Sequence, residues 1–376
     1  MYILLFFWIF LILLGLFIRK SEVLVLVQAL FISMMIALNN GNPDQWQYIN
    51  LYSQLKTDPT TIFSSNIGLN ILFYISSIFH QYNVSIFFIS CLFMFFLYRA
   101  IIYYTNDISY VFSLYLISPF VIDTIQIKNL YATVIWLFFS RYLYEYCLTH
   151  SKNDLLKYFM GVILATSIHF AFLFTGLFAL IALINKKNLF KFIFSFGIVF
   201  AVLAFMVSKI QSIVSILAST GISTFVLLAS KFQIYGANYK LESAAARQTV
   251  TLLFYALIFT VFLIIRLFMK RDNTLLPEQL FNLIVLITLI SIIIVPLMTY
   301  SQEIYRIQRN LLLLYYVMFG KCLSYDILNF SRMKLDIGRL SIFICSILVA
   351  LFYLYFDSLY WNYDSGFKIL FKMLTN

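Results

Sequence analysis

The chain has 376 residues, of which 63% are hydrophobic and only 11% are charged, with a net charge of +11. Soluble domains are about 25% charged, so this composition excludes a soluble globular protein, and its apolar content excludes intrinsic disorder. The apolar residues form blocks of roughly 15 to 22 between short polar links, which is typical of an all-α protein with many membrane-spanning helices.

The basic links predict how the chain crosses the bilayer, because Lys and Arg are retained on the cytoplasmic side. Six such links (19–20, 99, 141–157, 186–191, 266–271 and 321–339) hold sixteen of the 26 Lys and Arg residues. With all six in the cytoplasm, both termini lie outside and twelve crossings are predicted. These are 2–18, 21–38, 83–98, 108–123, 129–146, 155–169, 170–185, 189–208, 249–266, 279–300, 310–324 and 339–356.

One apolar block does not fit this path. Residues 66–80 are too few and too polar for a full crossing, so we expect a re-entrant or interfacial segment there. Two long links, 39–65 and 209–248, face outward, and the apolar stretch 213–230 in the second is expected to be an interfacial helix. Long links in compact proteins are usually functional. We predict one transmembrane domain over 1–376.

The first outer link contains a helix start. Asn42 suits the N-cap and Pro43 the first helical position. Asp44, Tyr48 and Tyr52 then recur every four residues and share one stripe. A carboxylate above aromatic rings suits a sugar, and Trp46 is a further candidate for stacking. The alternative is that Asp44 complements the helix dipole and the tyrosines form an interfacial belt.

Two single residues are candidates at the outer boundary. Lys128 precedes a long apolar block and can hold a phosphate, or it can simply snorkel at the end of the span. His169 is embedded in apolar sequence between two short crossings. Ionisable residues in such places mark functional sites, and histidine serves as an acid or base near neutral pH. The alternative is a neutral, hydrogen-bonded core histidine.

A pair of arginines is the most specific signal in the chain. Arg306 and Arg309 lie three residues apart before a late crossing, and two guanidinium groups can bind a pyrophosphate through forked hydrogen bonds. Arg247, at the end of the second long link, can join them. The alternative is an ion pair with Glu303 plus snorkelling.

In this order, these residues resemble a known family. The sequence is similar to the EpsG branch of Wzy-type polysaccharide polymerases of capsule and exopolysaccharide loci. The matching motifs are an outer Asp-x-x-x-Tyr-x-x-x-Tyr (44–52), an Ile-Lys-Asn-x-x-Ala helix entry (127–132), an Ala-x-x-x-His helix end (165–169) with a later Lys-Lys link, and late outer arginines.

The resemblance implies a glycosyltransferase in the bacterial cytoplasmic membrane that acts on its extracytoplasmic face. Its substrates would be oligosaccharide repeat units linked to undecaprenyl pyrophosphate, with no metal, cofactor or nucleic acid involved. A chain-length regulator is a possible partner. Asp44 and His169 are the candidate bases, Arg309 would act on the leaving group, and Arg306, Arg247, Lys128, Tyr48, Tyr52 and Trp46 would bind substrate.

Three other functions remain open at this point. A flippase for the same lipid-linked substrate would need charges within its spans, whereas here they lie at the ends of the predicted crossings. A ligase that moves finished polymer to another acceptor is not separated from a polymerase by any feature of the sequence. A structural scaffold would not need two long outer links with paired arginines.

Overall fold

The computed structural model describes residues 3–183 except 40, 41, 43 and 65, then 219, 241–269, 276–292, 295, 302–324, 328, 329, 334, 335 and 337–360. For 241–247, 302–305, 328, 329, 334, 335 and 357–360 it describes the backbone only. The predicted crossing 189–208 and the predicted interfacial helix 213–230 lie outside these residues, apart from the single residue 219.

The described chain is helical, as predicted, apart from one short strand pair. The first half contains α1 (Ile3–Phe17), α2 (Glu22–Leu38), α3 (Gln45–Thr57), α4 (Ile67–Ser76), α5 (Tyr82–Tyr104), α6 (Ile108–Ile117), α7 (Phe120–Asp123), α8 (Ile127–Thr149) and α9 (Lys152–Ile168). The second half contains α10 (Leu241–Met269), α11 (Glu278–Ile292), α12 (Gln302–Asn310), α13 (Leu312–Cys322) and α14 (Ile337–Tyr360). Three 3₁₀ segments are Pro59–Phe63, Ser77–Phe79 and Phe170–Leu183. The strands Leu328–Asn329 and Lys334–Leu335 pair antiparallel.

Two short helices form the centre of the bundle. Every residue of α6 is buried, and in α13 only Lys321 is partly exposed. The two helices pack against each other, with α1 and α2 against α6, and α5 against α2 and α8. A helix that is apolar on all sides is buried on all sides, which is how these two segments differ from the outer helices.

The number of crossings is not confirmed at twelve. Among the described residues, three helices are long and apolar enough to span a membrane, within Tyr82–Tyr104, Gln248–Met269 and Ile337–Phe356. By contrast, α6 has 10 residues and α13 has 11. At about 1.5 Å per residue they extend only about half of a ~30 Å hydrocarbon core. These two helices therefore contribute to the interior rather than each crossing the full apolar layer.

Several predicted element boundaries are wrong, each for a local reason. The predicted crossing 108–123 is broken after α6, because Pro119 lacks the amide proton that would continue the helix, and α7 follows. Arg141, predicted to lie in a link, is inside α8, with its guanidinium 4.2 Å from the ring centroid of Phe138. The second outer link was predicted to reach 248, but α10 already begins at Leu241.

The start of α3 also differs from the prediction. Asp44, not Asn42, occupies the N-cap position, and its side chain makes no capping hydrogen bond. The side-chain oxygen of Asn42 instead accepts a hydrogen bond from the backbone N–H of Asp44 at 3.1 Å. The Asn42 amide group donates to the carbonyl of Asn39 at 2.8 Å. Asn42 therefore builds the turn before the helix, because a short amide side chain mimics a backbone turn.

One end of the bundle carries the described parts of the basic links and is called the basic end here. Arg19 lies 3.2 Å from the carboxylate of Asp107, at the start of α6, and donates to the carbonyl of Leu323 at 2.6 Å, just after α13. Tyr98 donates to Glu22, which joins the end of α5 to the start of α2. Since α6 and α13 are antiparallel, α13 begins at the opposite end, called the site end here.

Candidate functional site

The site end is organised around the N-terminus of α8. Gln126 is its N-cap residue and Lys128 lies in its first turn. The amide groups at a helix N-terminus favour negative charge, so a lysine there works against the helix dipole. The side-chain oxygen of Asn310 accepts from Asn129 at 2.8 Å and from Thr133 at 3.1 Å. These bonds fix the junction of α12 and α13 against α8.

Arg309 lies inside this junction and is only 1% exposed. Its Nη2 donates to the side-chain oxygen of Gln126 at 2.7 Å and lies 3.6 Å from a carboxylate oxygen of Asp123. Asp123, itself buried, accepts a hydrogen bond from the hydroxyl of Tyr115 at 3.2 Å. Arg309, which the sequence analysis expects to act on the leaving group, is therefore held on one side by two buried partners.

Three cations converge on His169. The imidazole, which follows α9 and is 6% exposed, lies within electrostatic range of Lys128, Arg306 and Arg309. Its backbone is fixed by a bond from its N–H to the carbonyl of Ala165 at 2.9 Å. We call Lys128, Arg306 and Arg309 the cation cluster. The structure therefore brings together four residues that the sequence had marked separately, on α8, α9 and α12.

The helix α3 lies beside the same cluster. Tyr48 is 7% exposed, and its hydroxyl faces the backbone of Lys128, with Asp44 and Arg306 nearby. Burial, together with the Asp44 carboxylate, raises the pKa of the Tyr48 hydroxyl well above its usual range. Tyr48 is therefore a neutral phenol at physiological pH. Asp44 is half-buried on the same stripe, as the four-residue spacing predicts.

The other two aromatic residues of α3 do not share this position. Tyr52 is 3% exposed, its ring packs edge-on against Phe73 and Tyr82, and its hydroxyl bonds Ser85 at 2.8 Å. No open ring face remains for a sugar, so the structure favours a packing role. Trp46 is 72% exposed, because two residues along a helix turn a side chain to a different face. Trp46 therefore does not lie with Tyr48 beside the cation cluster.

Two expected contributions lie outside what the structure describes. Arg247 is in the first turns of α10, and its side chain is not among the described ones, so its place in an anion site stays a prediction. The side chain of Glu303, the alternative partner of the arginines, is likewise not described. The partner observed for Arg309 is Asp123, which the sequence analysis did not choose.

Asp123, Gln126 and Tyr115 are the site residues that sequence reasoning missed. A signal for Asp123 was present, since a carboxylate within an apolar block is costly and needs a cation. The pairing itself was not visible, because 186 positions separate Asp123 from Arg309. Gln126 and Tyr115 have no motif, and only their contacts distinguish them from other polar residues in apolar segments.

The described residues also form an apolar groove of about 430 Å³ between α2 and α5. It is lined by Leu26, Leu30, Met94 and Phe95 and reaches Glu22 at the basic end. The groove is remote from the cation cluster and offers few polar groups. Its lining suits hydrocarbon rather than a saccharide.

Fold and site together define a helical membrane protein with a cation cluster around a buried histidine at one end of its bundle. The chain belongs to the EpsG family, whose model matches residues 22–368. This confirms the resemblance inferred from the sequence and points to a polysaccharide polymerase-like membrane protein. No curated protein and no solved structure matches the chain.

Proposed function

We propose that the protein polymerises oligosaccharide repeat units carried on undecaprenyl pyrophosphate, at the extracytoplasmic face of the bacterial cytoplasmic membrane. The observation that carries the proposal is the convergence of Lys128, Arg306 and Arg309 on His169 beside the N-terminus of α8. Glycosyl transfer from such a lipid requires a site that binds a diphosphate next to a base and next to polar groups that contact the sugar.

The reaction breaks one bond and forms one. The bond between the anomeric carbon of the growing glycan and its diphosphate oxygen breaks, and the electron pair leaves with the diphosphate. A hydroxyl oxygen of the incoming repeat unit bonds to the same carbon and loses its proton to a base. Negative charge therefore develops on the departing diphosphate, where fixed cations stabilise the transition state most effectively.

We assign the base to His169 rather than Asp44. Three cations lie within electrostatic range of the imidazole, and a bound diphosphate neutralises them, so that His169 can then take up the proton of the acceptor hydroxyl. A carboxylate would be repelled by the bound diphosphate, whereas a neutral imidazole is not. Asp44, beside Tyr48 on α3, then binds sugar hydroxyl groups. The apolar groove between α2 and α5 is suited to a lipid chain.

The assignment of His169 is tested by His169→Gln, which keeps a polar side chain but not the base. We expect the rate to fall at least about 10²-fold, the lower bound for a lost general base. The matched control is His150→Gln, at the exposed end of α8, and it should retain full activity. Asp44→Asn should raise KM more than it lowers kcat. The reverse pattern, with Asp44→Asn nearly inactive and His169→Gln active, contradicts the assignment.

The proposed face follows from charge. The described parts of the basic links lie away from the cation cluster, and basic links stay in the cytoplasm, so the site end faces outward. The test uses a cysteine-free variant with one new thiol, Gln54→Cys on α3 or Asn153→Cys on α9, both exposed. An impermeant reagent should label the first in intact cells and the second only after permeabilisation. The opposite pattern would place the cluster in the cytoplasm.

A flippase and a ligase are the competing functions. A flippase needs polar groups along a path through the bundle, whereas in the described part of the chain Asp107, Asp123 and Arg309, which are buried, and Arg19, which is largely buried, lie at helix ends. The decisive experiment reconstitutes the purified protein with one lipid-linked repeat unit. A ladder of products supports a polymerase. Translocation without new bonds shows a flippase, and transfer only to a different acceptor shows a ligase.

A further inference from the structure

Arg309 has more hydrogen-bond donors than its described partners use. A guanidinium carries five N–H groups, and only the Nη2 atom contacts Gln126 and Asp123. Among the described residues, nothing accepts a hydrogen bond from the buried Nε and Nη1 atoms. Buried donors without acceptors are costly and call for an explanation. Nη1 alone carries two N–H groups that can donate to phosphate oxygens, while the Nε–H points to the other side of the guanidinium, beside Nη2.

We infer that Asp123 is a positioning residue that holds Arg309 by Nη2, so that the unused N–H groups of Nη1 face the diphosphate. The inference rests on the proposed function: Asp123 is the group that orients Arg309 in the site of that function. The chain of contacts runs from Tyr115 to Asp123 and from Asp123 to Arg309, with Gln126 as the second acceptor. Asp123 itself does not touch the substrate.

The surroundings of Arg309 fit an anion at its Nη1 atom. The N-cap residue of α8 is Gln126, so the same guanidinium touches the end of a 23-residue helix whose dipole favours negative charge. Lys128 and Arg306 supply two further cations near His169. Asn310 fixes the backbone next to Arg309 through its bond with Asn129. Little reorganisation is then needed when charge develops, which is the condition for electrostatic catalysis.

The alternative is that Asp123 only neutralises a buried arginine. The two explanations predict effects of opposite sign. A mere counter-ion competes with the diphosphate for Arg309, so its removal should strengthen anion binding. A positioning residue gives a guanidinium its productive orientation, so its removal should weaken binding and slow the reaction, because a displacement of about 1 Å can cost about 10²-fold in rate.

The experiment compares wild type with Asp123→Asn, which removes the charge and keeps the shape. The purified full-length protein is titrated with inorganic pyrophosphate, and kcat and KM are measured with the lipid-linked repeat unit. We expect pyrophosphate to bind about 10-fold more weakly and kcat to fall about 10²-fold, with KM changed less. The matched control is Asp107→Asn in the other buried ion pair, for which the binding constant of the folded fraction should not change.

A second variant keeps the test decisive if Asp123→Asn does not fold. Tyr115→Phe removes the hydrogen bond to Asp123 and leaves both charges, so kcat should fall by a smaller factor of about 2 to 13, the value of one hydrogen bond. Tighter pyrophosphate binding by Asp123→Asn, or unchanged kcat in both variants, would overturn the inference while wild type still forms a product ladder. If wild type forms no ladder yet loses pyrophosphate affinity on Asp123→Asn, the polymerase assignment fails and the positioning role stands.

Discussion

Each end of the bundle contains an arginine–aspartate pair whose carboxylate is buried, and the two pairs differ in their surroundings. At the basic end, Arg19 lies 3.2 Å from Asp107 and also donates to the carbonyl of Leu323 at 2.6 Å. At the site end, Arg309 lies 3.6 Å from Asp123 and bonds Gln126 through the same nitrogen. Arg19 thus ties a loop carbonyl to the bundle, whereas the Nε and Nη1 atoms of Arg309 have no acceptor among the described residues.

The comparison shows that a buried ion pair does not by itself mark a functional site. A cation after the C-terminus of α13 complements that helix dipole, which suits a structural role for Arg19. Around Arg309, two further cations and a helix N-terminus add positive charge near His169. Positive charge gathered from three helices around a buried histidine suits an anion, and this gathering distinguishes the described part of the site end.

The largest expected effect is on stability at the basic end. Asp107→Ala leaves Arg19 as a buried cation without its carboxylate, which should cost about 3–5 kcal/mol. Thermal unfolding in detergent should show the loss, while activity per folded molecule stays normal. Glu278→Ala removes an exposed ion pair with Arg266 and should cost under about 1 kcal/mol. If Asp107→Ala has normal stability, the Arg19–Asp107 pair does not have the structural role that the comparison gives it.

The next effect is on catalysis at the site end. Arg309→Lys keeps the charge opposite Asp123 but loses the separate Nη1 donors that remain when Nη2 is held, so kcat should fall by about 10² to 10³, or about 2.7–4 kcal/mol. Polymer synthesis by the reconstituted protein measures this. Arg266→Lys, at an exposed pair, is the matched control and should leave polymer yield unchanged. An Arg309→Lys enzyme with wild-type kcat would show that Arg309 is as structural as Arg19.

A smaller effect separates two tyrosines on α3. Tyr48→Phe removes the hydroxyl that faces Lys128 and Arg306, and kcat/KM should fall by about 0.5–1.5 kcal/mol. Because burial raises the pKa of Tyr48, the hydroxyl stays protonated, and the loss should be the same from about pH 6 to pH 9. Tyr52→Phe should instead lower the melting temperature, since its hydroxyl bonds Ser85. A pH-dependent Tyr48→Phe defect would contradict this assignment.

The smallest effect is expected at Trp46. Its ring is 72% exposed and lies on another face of α3, so Trp46→Ala should change stability and kcat/KM by less than about 0.5 kcal/mol. The measurement is the product ladder together with thermal unfolding. A large rise in KM would show that Trp46 binds sugar and that the site extends beyond the cation cluster.

Much of the site was predictable because its residues are chemically out of place. Lys128, His169, Arg306 and Arg309 are polar groups at the boundaries of apolar blocks, and burying such groups is costly enough to mark them one by one. The stripe of Asp44 and Tyr48 followed from helical periodicity. The exact start of α3 could not be predicted, because asparagine is favoured both as an N-cap and as a turn residue. The local sequence around Asn42 suits either role.

The crossings were less predictable than the site residues. Hydropathy registers how apolar a segment is, and α6 and α13 are apolar because they are surrounded by protein, not because each spans the lipid. The same composition serves both situations. Pro119 gave a visible signal for the break between α6 and α7, whereas the 3₁₀ winding of Phe170–Leu183 had none.

Composition and the length of the apolar blocks determined that this chain is a helical membrane protein, because so much apolar surface with so little charge needs lipid around it and blocks of roughly 15 to 22 residues suit helices. The order of its polar motifs indicated the family. Only the tertiary structure decided that Asp123 is the partner of Arg309 and that Tyr52 packs while Tyr48 faces the cations. Those choices depend on contacts between segments far apart in sequence, and local patterns carry no information about which buried charge meets which.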